Sequence, residues 1–299
     1  MIEEAPFADR LAALVEERRS QICLGLDPDP AKLVSEGEAA AAGVDAPAAV
    51  RAGAAVAAHC RVLIERAGRA CVAVKPQLAC FERLGAPGWA ALAEACDAAR
   101  EAGLLVLADG KRGDVPVTAA AYAQGLVGET PTPWGPVAGL GADAFTANPL
   151  LGADALDPLV TAAAAAGAGV FALVRTSNPG AADVEDLPAP DRPLHERLAE
   201  LVESFAPRLA GSSGLSGMGA VVGATEPEHI ARLRELMPRS VFLIPGVGAQ
   251  GGRPEHLGPA FAPGPASGLV AASRGIAADP DPAAAAERLR AAVWEVSTA

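Results

Sequence analysis

The residues best suited to chemistry follow one short apolar run in the middle of the chain. Leu104–Ala108 contains no polar residue, which predicts a buried strand, and Asp109, Lys111 and Asp114 come directly after it. Residues two apart on an extended chain face the same side, so we expect Asp109 and Lys111 to enter one pocket. Because removing acid, base and acid from water together is costly, the pattern indicates a functional site.

The choice of basic residues points to the same place. Lys32, Lys75 and Lys111 are the only lysines of the chain, and every other basic residue is arginine. Lys75 and Lys111 both lie at the ends of predicted core strands. A buried lysine can give up its proton whereas arginine does not readily do so, so we expect a proton-transfer or imine-forming role at these positions.

Apolar runs of strand length alternate with alanine-rich segments of helical period along the chain, which predicts an α/β protein. The predicted strands are Gln21–Leu26, Cys71–Lys75, Leu104–Asp109, Ala142–Thr146, Gly169–Val174, Gly219–Gly223, Val241–Pro245 and Gly268–Ala272. The predicted helices are an acidic amphipathic one over residues 1–20, Ala46–Ala67, Gly88–Ala102, Asp114–Gln124, Ala153–Ala166, Asp191–Ala210, Glu226–Met237, a short one near Pro254, and Pro280–Thr298. Eight β–α units predict a single (β/α)8 barrel domain over residues 1–299. The runner-up is an open doubly wound sheet, but no GxGxxG motif follows the first strand.

In a barrel of this kind the carboxyl ends of the strands carry the active site. Asp27 follows the first predicted strand, Lys75 ends the second, and Ser177 follows the fifth. Taken alone, Asp27 and Ser177 fit ordinary turns, and Asp114 fits a cap for the helix that follows it. Their convergence on one end of the predicted barrel favours the functional interpretation.

The ends of the last two predicted strands are suited to an anion. Pro245–Gly252, with the sequence PGVGAQGG, presents backbone N–H groups without obstructing side chains, and Gln250 adds an amide donor. Arg274 follows the eighth strand and can offer a bidentate guanidinium. Phosphate bound by the loops after strands seven and eight is a recurrent arrangement in such barrels, so we expect a phosphate-bearing ligand.

Charge and composition argue against several other classes. The net charge of −12 and a pI near 4.8 disfavour nucleic acid and anionic membrane surfaces as partners. The first 20 residues lack the features of a signal peptide, and Thr161–Phe171 is too short and weakly apolar to span a bilayer. The five cysteines show no ligand-like spacing, so we expect buried thiols in a reducing cytoplasm and no metal site.

Seven segments, in this order along the chain, resemble the orotidine 5′-monophosphate decarboxylase family, most closely its longer bacterial subgroup (type 2). They are GLDPDP at 25–30, KPQLACFE at 75–82, ADGKRGDVPVTAAAYA at 108–123, TSNPG at 176–180, VVGAT at 221–225, PGVGAQGG at 245–252 and SRGI at 273–276. The DxKxxD pattern with a threonine four residues later is specific, and together with PGVGAQGG it is a strong signal. Three predicted loops are long, namely Asp27–Asp45, Leu126–Gly141 and Pro179–Pro193. The Pro28–Asp45 insertion and the Leu126–Gly141 loop exceed the pattern of short-chain family members.

The resemblance implies a homodimeric (β/α)8 barrel that converts orotidine monophosphate (OMP) to uridine monophosphate (UMP) and CO₂ without a cofactor, in pyrimidine nucleotide synthesis. It implies an alternating charge network in which Lys111 protonates C6 of the pyrimidine. By matching position, the residues of the network are Lys75, Asp109, Lys111 and Asp114, with Asp114 and Thr118 donated by the other subunit. The remaining roles are ribose binding by Asp27 and Lys75, pyrimidine binding by Ser177, and phosphate binding by Gln250 and Arg274.

Three other interpretations compete with this one. A magnesium-dependent sugar-phosphate decarboxylase or hexulose-phosphate aldolase of the same suprafamily also resembles the DxKxxD pattern, but it uses an acidic residue on strand two, where this chain has Lys75. A Schiff-base aldolase would use Lys75 or Lys111. A non-catalytic nucleotide-binding barrel is disfavoured by the intact Lys111 with both of its acids.

Overall fold

A computed structural model describes residues 5–299, and its strands close into a barrel of eight parallel strands in sequence order. The barrel strands are β1 Ile22–Leu26, β2 Ala73–Pro76, β3 Leu105–Arg112, β4 Ala144–Ala147, β5 Gly169–Arg175, β6 Ser216–Val222, β7 Ser240–Pro245 and β8 Gly268–Ala272. The predicted fold class is therefore confirmed, and the open-sheet alternative is wrong because β8 pairs with β1.

Helices cover the outside of the barrel because the strands are apolar on both faces. They are α1 Phe7–Arg18, α2 Ser35–Ala41, α3 Ala48–Ala67, α4 Leu78–Glu82, α5 Ala86–Glu101, α6 Pro116–Leu126, α7 Ala153–Ala165, α8 Ala182–Glu185, α9 Leu194–Phe205, α10 Glu228–Leu236, α11 Arg274–Ala277 and α12 Pro282–Ser297. Among the helices within residues 5–299, none has the length and apolar character needed to cross a bilayer.

The N-terminal helix closes the end of the barrel opposite the predicted site. Phe7 of α1 packs edge-on against Phe171 inside the barrel, with ring centroids 5.8 Å apart, and Arg10 forms an ion pair with Asp143 just before β4. Residues 1–4 of the predicted helix lie outside the described residues. Since α1 fills this end, the cavity lies at the carboxyl ends of the strands.

The predicted long loops carry regular structure of their own. The Asp27–Asp45 segment contains α2, and Pro179–Pro193 contains α8 after a short 3₁₀ turn. Residues 126–141 form a small hairpin in which Glu129–Thr130 pairs antiparallel with Val137–Ala138. These elements were missed because each is shorter than the periodic pattern needed to predict it.

Prolines account for the largest differences between predicted and observed helix ends. The helix predicted from Asp114 begins at Pro116, because the residue before a proline is kept out of the helical region and Val115 is extended. The helix predicted from Asp191 begins at Leu194 after Pro193, and it gives way to a 3₁₀ turn, Ala206–Leu209, at its end. The short helix predicted near Pro254 is a series of 3₁₀ turns, beginning with Pro254–His256.

Candidate active site

The charged residues predicted after the third strand lie on a distorted end of β3. This strand pairs regularly with β4 up to Ala108, opposite Phe145, and then shifts register so that Arg112 lies opposite Ala147. Within the shifted stretch Lys111 has a φ of 48°, in the left-handed region. Asp109 and Lys111 do face the same cavity, as predicted, but the alternation of side chains along an extended strand is not the cause. A bulge turns both side chains into one cavity.

Asp109 is the centre of the site. Its carboxylate is nearly buried, 4% exposed, and accepts a hydrogen bond from Lys75 Nζ at 2.5 Å on one oxygen and from Lys111 Nζ at 2.6 Å on the other. Thr146 Oγ1 donates to it at 2.9 Å and Gln77 Nε2 at 3.2 Å. Thr146 Oγ1 also accepts the backbone N–H of Lys111 at 2.8 Å, which holds the bulge in place.

The two lysines keep this buried carboxylate charged. Burial raises the pKa of Asp109, but the positive charges of Lys75 and Lys111 and their hydrogen bonds outweigh that effect and lower it to about 2. Burial also lowers the pKa of Lys75, but the charges of Asp109 and Asp27 overcome it, and the net pKa shift is upward. Both groups are therefore ionised at neutral pH, and the site is a fixed array of charges.

Lys111 differs from Lys75 in exposure. The Lys75 side chain is 11% exposed, whereas that of Lys111 is 44% exposed and borders the cavity. Lys75 also lines the cavity, so the network offers a ligand two ammonium groups, of which Lys111 is the more accessible.

One cavity of about 610 Å³ brings together most of the residues that the sequence predicted. It is lined by seven of the nine predicted site residues, namely Asp27, Lys75, Asp109, Lys111, Ser177, Gln250 and Arg274. A volume of this size suits a mononucleotide-sized ligand. Ser177 Oγ donates to Gln250 Oε1 at 2.9 Å, which joins the loop after β5 to the loop after β7.

Glycines allow the two predicted anion loops to reach the cavity. Gly246, directly after β7, has a φ of 100°, a conformation that side chains rarely adopt. A Cβ atom on Gly25 of β1 would come within 2.6 Å of Ser273 Cβ, so glycine lets the segment before Arg274 pack against β1. Arg274 itself is exposed and borders the cavity at the start of α11.

Asp114 and Thr118 are the two predicted site residues that do not line this cavity. The alternative interpretation of Asp114 as a helix cap is wrong, because Val115 occupies the cap position and the helix has no side-chain cap. Asp114 Oδ1 accepts the N–H of Val115 at 2.7 Å, and within residues 5–299 no ion pair joins it to Lys111. Thr118 is exposed on the first turn of α6.

Gln77 and Thr146 were missed by the sequence analysis although both contact Asp109. Each carried a detectable signal: Gln77 follows Lys75-Pro76 at a strand end, and Thr146 is the single polar residue of β4. Glu185 and Asn178 also line the cavity. They lie in the long segment after β5, where no periodic pattern predicted which residues would turn inwards.

A cation is poorly matched to this cavity. The Asp109 carboxylate is already paired with two ammonium groups, so a divalent ion there would be repelled by Lys75 and Lys111. Elsewhere in the described chain, Asp186, Glu226 and His229 could in principle hold a metal ion. In that group Arg175 already supplies positive charge, because it forms ion pairs with both carboxylates.

The fold and the site together define a (β/α)8-barrel enzyme whose cavity combines a lysine–aspartate network with glycine-rich and arginine-bearing strand ends. Residues 20–289 match the model of the orotidine 5′-phosphate decarboxylase / HUMPS family. The chain therefore belongs to that family, which confirms the resemblance seen in the sequence.

Individual relatives agree with this assignment. The chain is 37% identical to orotidine 5′-phosphate decarboxylase of Rhodopirellula baltica over 90% of its own length and 87% of the relative's. It superposes on the structure of Leishmania donovani OMP decarboxylase with a TM-score of 0.74 and 34% identity, over 97% of this chain and 99% of that one. It also matches L. donovani UMP synthase with a TM-score of 0.75 and 36% identity, and there it spans 56% of the longer chain.

Proposed function

We propose that this protein decarboxylates orotidine 5′-monophosphate to uridine 5′-monophosphate and CO₂ without a metal ion or organic cofactor. The observation that carries the proposal is the Lys75–Asp109–Lys111 network, which lines a cavity of nucleotide size and has Lys111 as its most accessible ammonium group. The names of the relatives identify the substrate class, and the lysine at the end of β2 separates this chain from the sugar-phosphate enzymes of the suprafamily.

Loss of CO₂ from C6 leaves a carbanion with little delocalisation, so the opposing charge has to be in place before the bond breaks. Lys111 meets this requirement because Asp109 orients its Nζ at 2.6 Å while its side chain stays open to the cavity. The same ammonium group then delivers a proton to C6, and the C–C bonding electrons become the new C–H bond. Asp109 holds Lys111 in place, and the exposed lysine takes up a proton from water before the next turnover.

The other cavity residues fit the remaining parts of the nucleotide. Asp27 and Lys75 are proposed to bind the ribose hydroxyls, and Ser177 the pyrimidine. Gln250 and Arg274 are proposed to bind the phosphate beside the glycine-rich loop. Binding of this remote group supplies energy that can be used to close the site and fix the base over Lys111.

We further propose that a second copy of the chain completes the site with its Asp114 and Thr118. Both residues lie outside the cavity of their own chain, at the start of α6. Large apolar side chains are exposed beside them, at Val115 and Val117, and on the hairpin that follows α6, at Trp134 and Val137, with Trp134 92% exposed. A surface of this kind is typical of an interface, and a symmetric dimer would bring each Asp114 to the partner's cavity.

Mixing two inactive variants tests this exchange. Lys111→Ala and Asp114→Ala homodimers should each be inactive. A mixed dimer should contain one site with both residues intact and one with neither. Random reassembly of equal amounts should therefore restore about a quarter of the wild-type activity per site. Activity that stays at the level of the separate variants would contradict the shared site.

The reaction itself is tested by product analysis. Wild-type protein incubated with OMP should yield UMP and CO₂ in equal amounts, and borohydride added during turnover should trap no lysine adduct. Turnover of a hexulose phosphate or another sugar phosphate in place of OMP would support the magnesium-dependent relatives instead. UMP binding without any turnover would support the nucleotide-binding barrel.

A reducing, cytoplasmic environment is also proposed. The five cysteines are all free, and four of them are buried. Burial raises the pKa of Cys23 to about 12, so its thiol stays protonated although Lys75 is close by. We propose no nucleic-acid or membrane partner, because the chain carries a net charge of −12.

A further inference from the structure

A second cluster of charges lies at the end of β5 and takes no part in the proposed reaction. It is centred on Arg175, whose side chain is only 3% exposed. The guanidinium binds Asp186 in bidentate fashion, with Nε at 2.9 Å and Nη2 at 3.0 Å, and Nη2 also donates to Glu226. Its Nη1 donates to the carbonyl of Thr176 at 3.0 Å and lies 3.7 Å from Glu185.

The carboxylates of this cluster fix the chain that enters the cavity. The Glu185 carboxylate accepts two hydrogen bonds from Thr176, one from its backbone N–H at 2.8 Å and one from its Oγ1 hydroxyl at 3.0 Å. Thr176 immediately precedes Ser177, whose Oγ donates to Gln250 in the cavity. A continuous series of contacts therefore runs from Arg175 through Glu185 and Thr176 to Ser177.

Two histidines support the cluster from the outer helices. His195 Nδ1 of α9 lies 3.1 Å from Asp186 Oδ1, and His229 Nε2 of α10 lies 3.2 Å from Glu226 Oε2. Burial raises the pKa of Asp186, but its hydrogen bonds to Arg175 and the charges around it lower the pKa overall. The cluster is thus tied to two helices and to β5, and it forms a rigid base for the loop.

We propose that Arg175 is a positioning residue that fixes Ser177 for the substrate by holding Glu185 and Asp186 against the end of β5. Arg175 does not line the cavity, so it acts through the loop and not on the substrate. A planar, bidentate guanidinium suits this role, since it fixes the direction as well as the distance of the carboxylate. This inference rests on the proposed function for its kinetic test but not for its structural one.

The kinetic test is a double-mutant cycle between Arg175→Met and Ser177→Ala, with OMP as substrate. Arg175→Met alone should lower kcat/KM by about 100-fold, the size expected for a misplaced contact of about 1 Å. In the Ser177→Ala background the same change should cost less than about threefold, because the contact it positions is already gone. Losses that multiply in the double variant would show a general structural role and overturn the proposal.

The structural test needs no turnover. Amide hydrogen exchange of residues 176–187 should become at least about tenfold faster in Arg175→Met, since the N–H of Thr176 loses its fixed acceptor. The matched control is Arg197→Met, which breaks ion pairs of a half-exposed arginine to Asp191 and Glu200 and should leave this segment unchanged. Unchanged exchange in Arg175→Met would overturn the proposal whatever the activity.

Milder variants cover the case in which Arg175→Met does not fold. Arg175→Lys keeps the charge but loses the bidentate contact, and Asp186→Asn weakens the same contact from the other side. Each should lower kcat/KM about tenfold and lose most of that effect in the Ser177→Ala background. Wild-type protein that leaves OMP unchanged would refute the proposed function, and the exchange experiment would still decide the role of Arg175.

Discussion

The ends of β3 and β5 both carry a buried cluster of opposite charges, but the two clusters differ in what they leave open. At β3 the Asp109 carboxylate pairs with two lysines, and the Lys111 side chain remains 44% exposed to the cavity. At β5 one arginine serves three carboxylates, and its own side chain is 3% exposed. In each cluster the oppositely charged side chains are close enough for a strong electrostatic attraction.

The difference indicates how to separate chemistry from positioning in a barrel of this kind. A charged group that faces a cavity can act on a ligand, whereas one enclosed by its partners can only fix the chain around it. Strand-end location alone does not distinguish the two, since Asp109 and Arg175 both lie at the ends of their strands. What distinguishes them is whether the charged group faces the cavity or is enclosed by its partners.

Removal of the exposed cation at β3 should have the largest effect. Lys111→Ala should lower kcat for OMP decarboxylation by at least about 10³-fold, because it removes both the electrostatic partner and the proton donor. The variant should keep its fold and its affinity for UMP, and Lys32→Ala, at an exposed lysine outside the cavity, is the matched control. Activity within about tenfold of wild type would refute the role of Lys111.

Removing the phosphate contact should have a smaller effect of a different kind. Arg274→Ala should mainly raise KM, by a factor that corresponds to about 2–4 kcal/mol of lost charge-assisted hydrogen bonding, while kcat changes less. Steady-state kinetics with OMP would measure this split. An unchanged KM would show that Arg274 does not bind the phosphate, and Arg253→Ala, at an exposed arginine that does not line the cavity, serves as the control.

The smallest expected effect is on stability in acid. The pKa of Asp109 is about 2 in the folded protein against 3.8 without its partners, so its contribution is complete above that ordinary pKa and is lost as the pH falls towards 2. The contribution is about 2 kcal/mol. Urea unfolding of wild type and Asp109→Asn should therefore show a difference in unfolding free energy that shrinks by this amount between pH 5 and pH 2. A difference independent of pH would contradict the network.

Much of the fold and of the site could be predicted because the relevant signals are local. The eight apolar strands and the polar residues directly after them specify the barrel and place Asp109, Lys111 and Arg274 at one end of it. Thr146 was missed because its contact with the backbone of Lys111 depends on a bulge in β3, which no periodicity reveals. Gln77 was missed because its role depends on its pairing with Asp109 across two strands. The positioning role of Arg175 was missed because the sequence does not show whether a charged residue at the end of a strand faces the cavity or the surrounding loops.

The absorbance of OMP shows whether the chain's own charges are sufficient for the decarboxylation. Purified protein in EDTA, with no added cofactor, should remove the orotate band and release CO₂, and added Mg²⁺ should leave the rate unchanged. Folded protein that acts only after Mg²⁺ is added, or leaves the band intact, would refute cofactor-free decarboxylation and favour the sugar-phosphate members of the suprafamily.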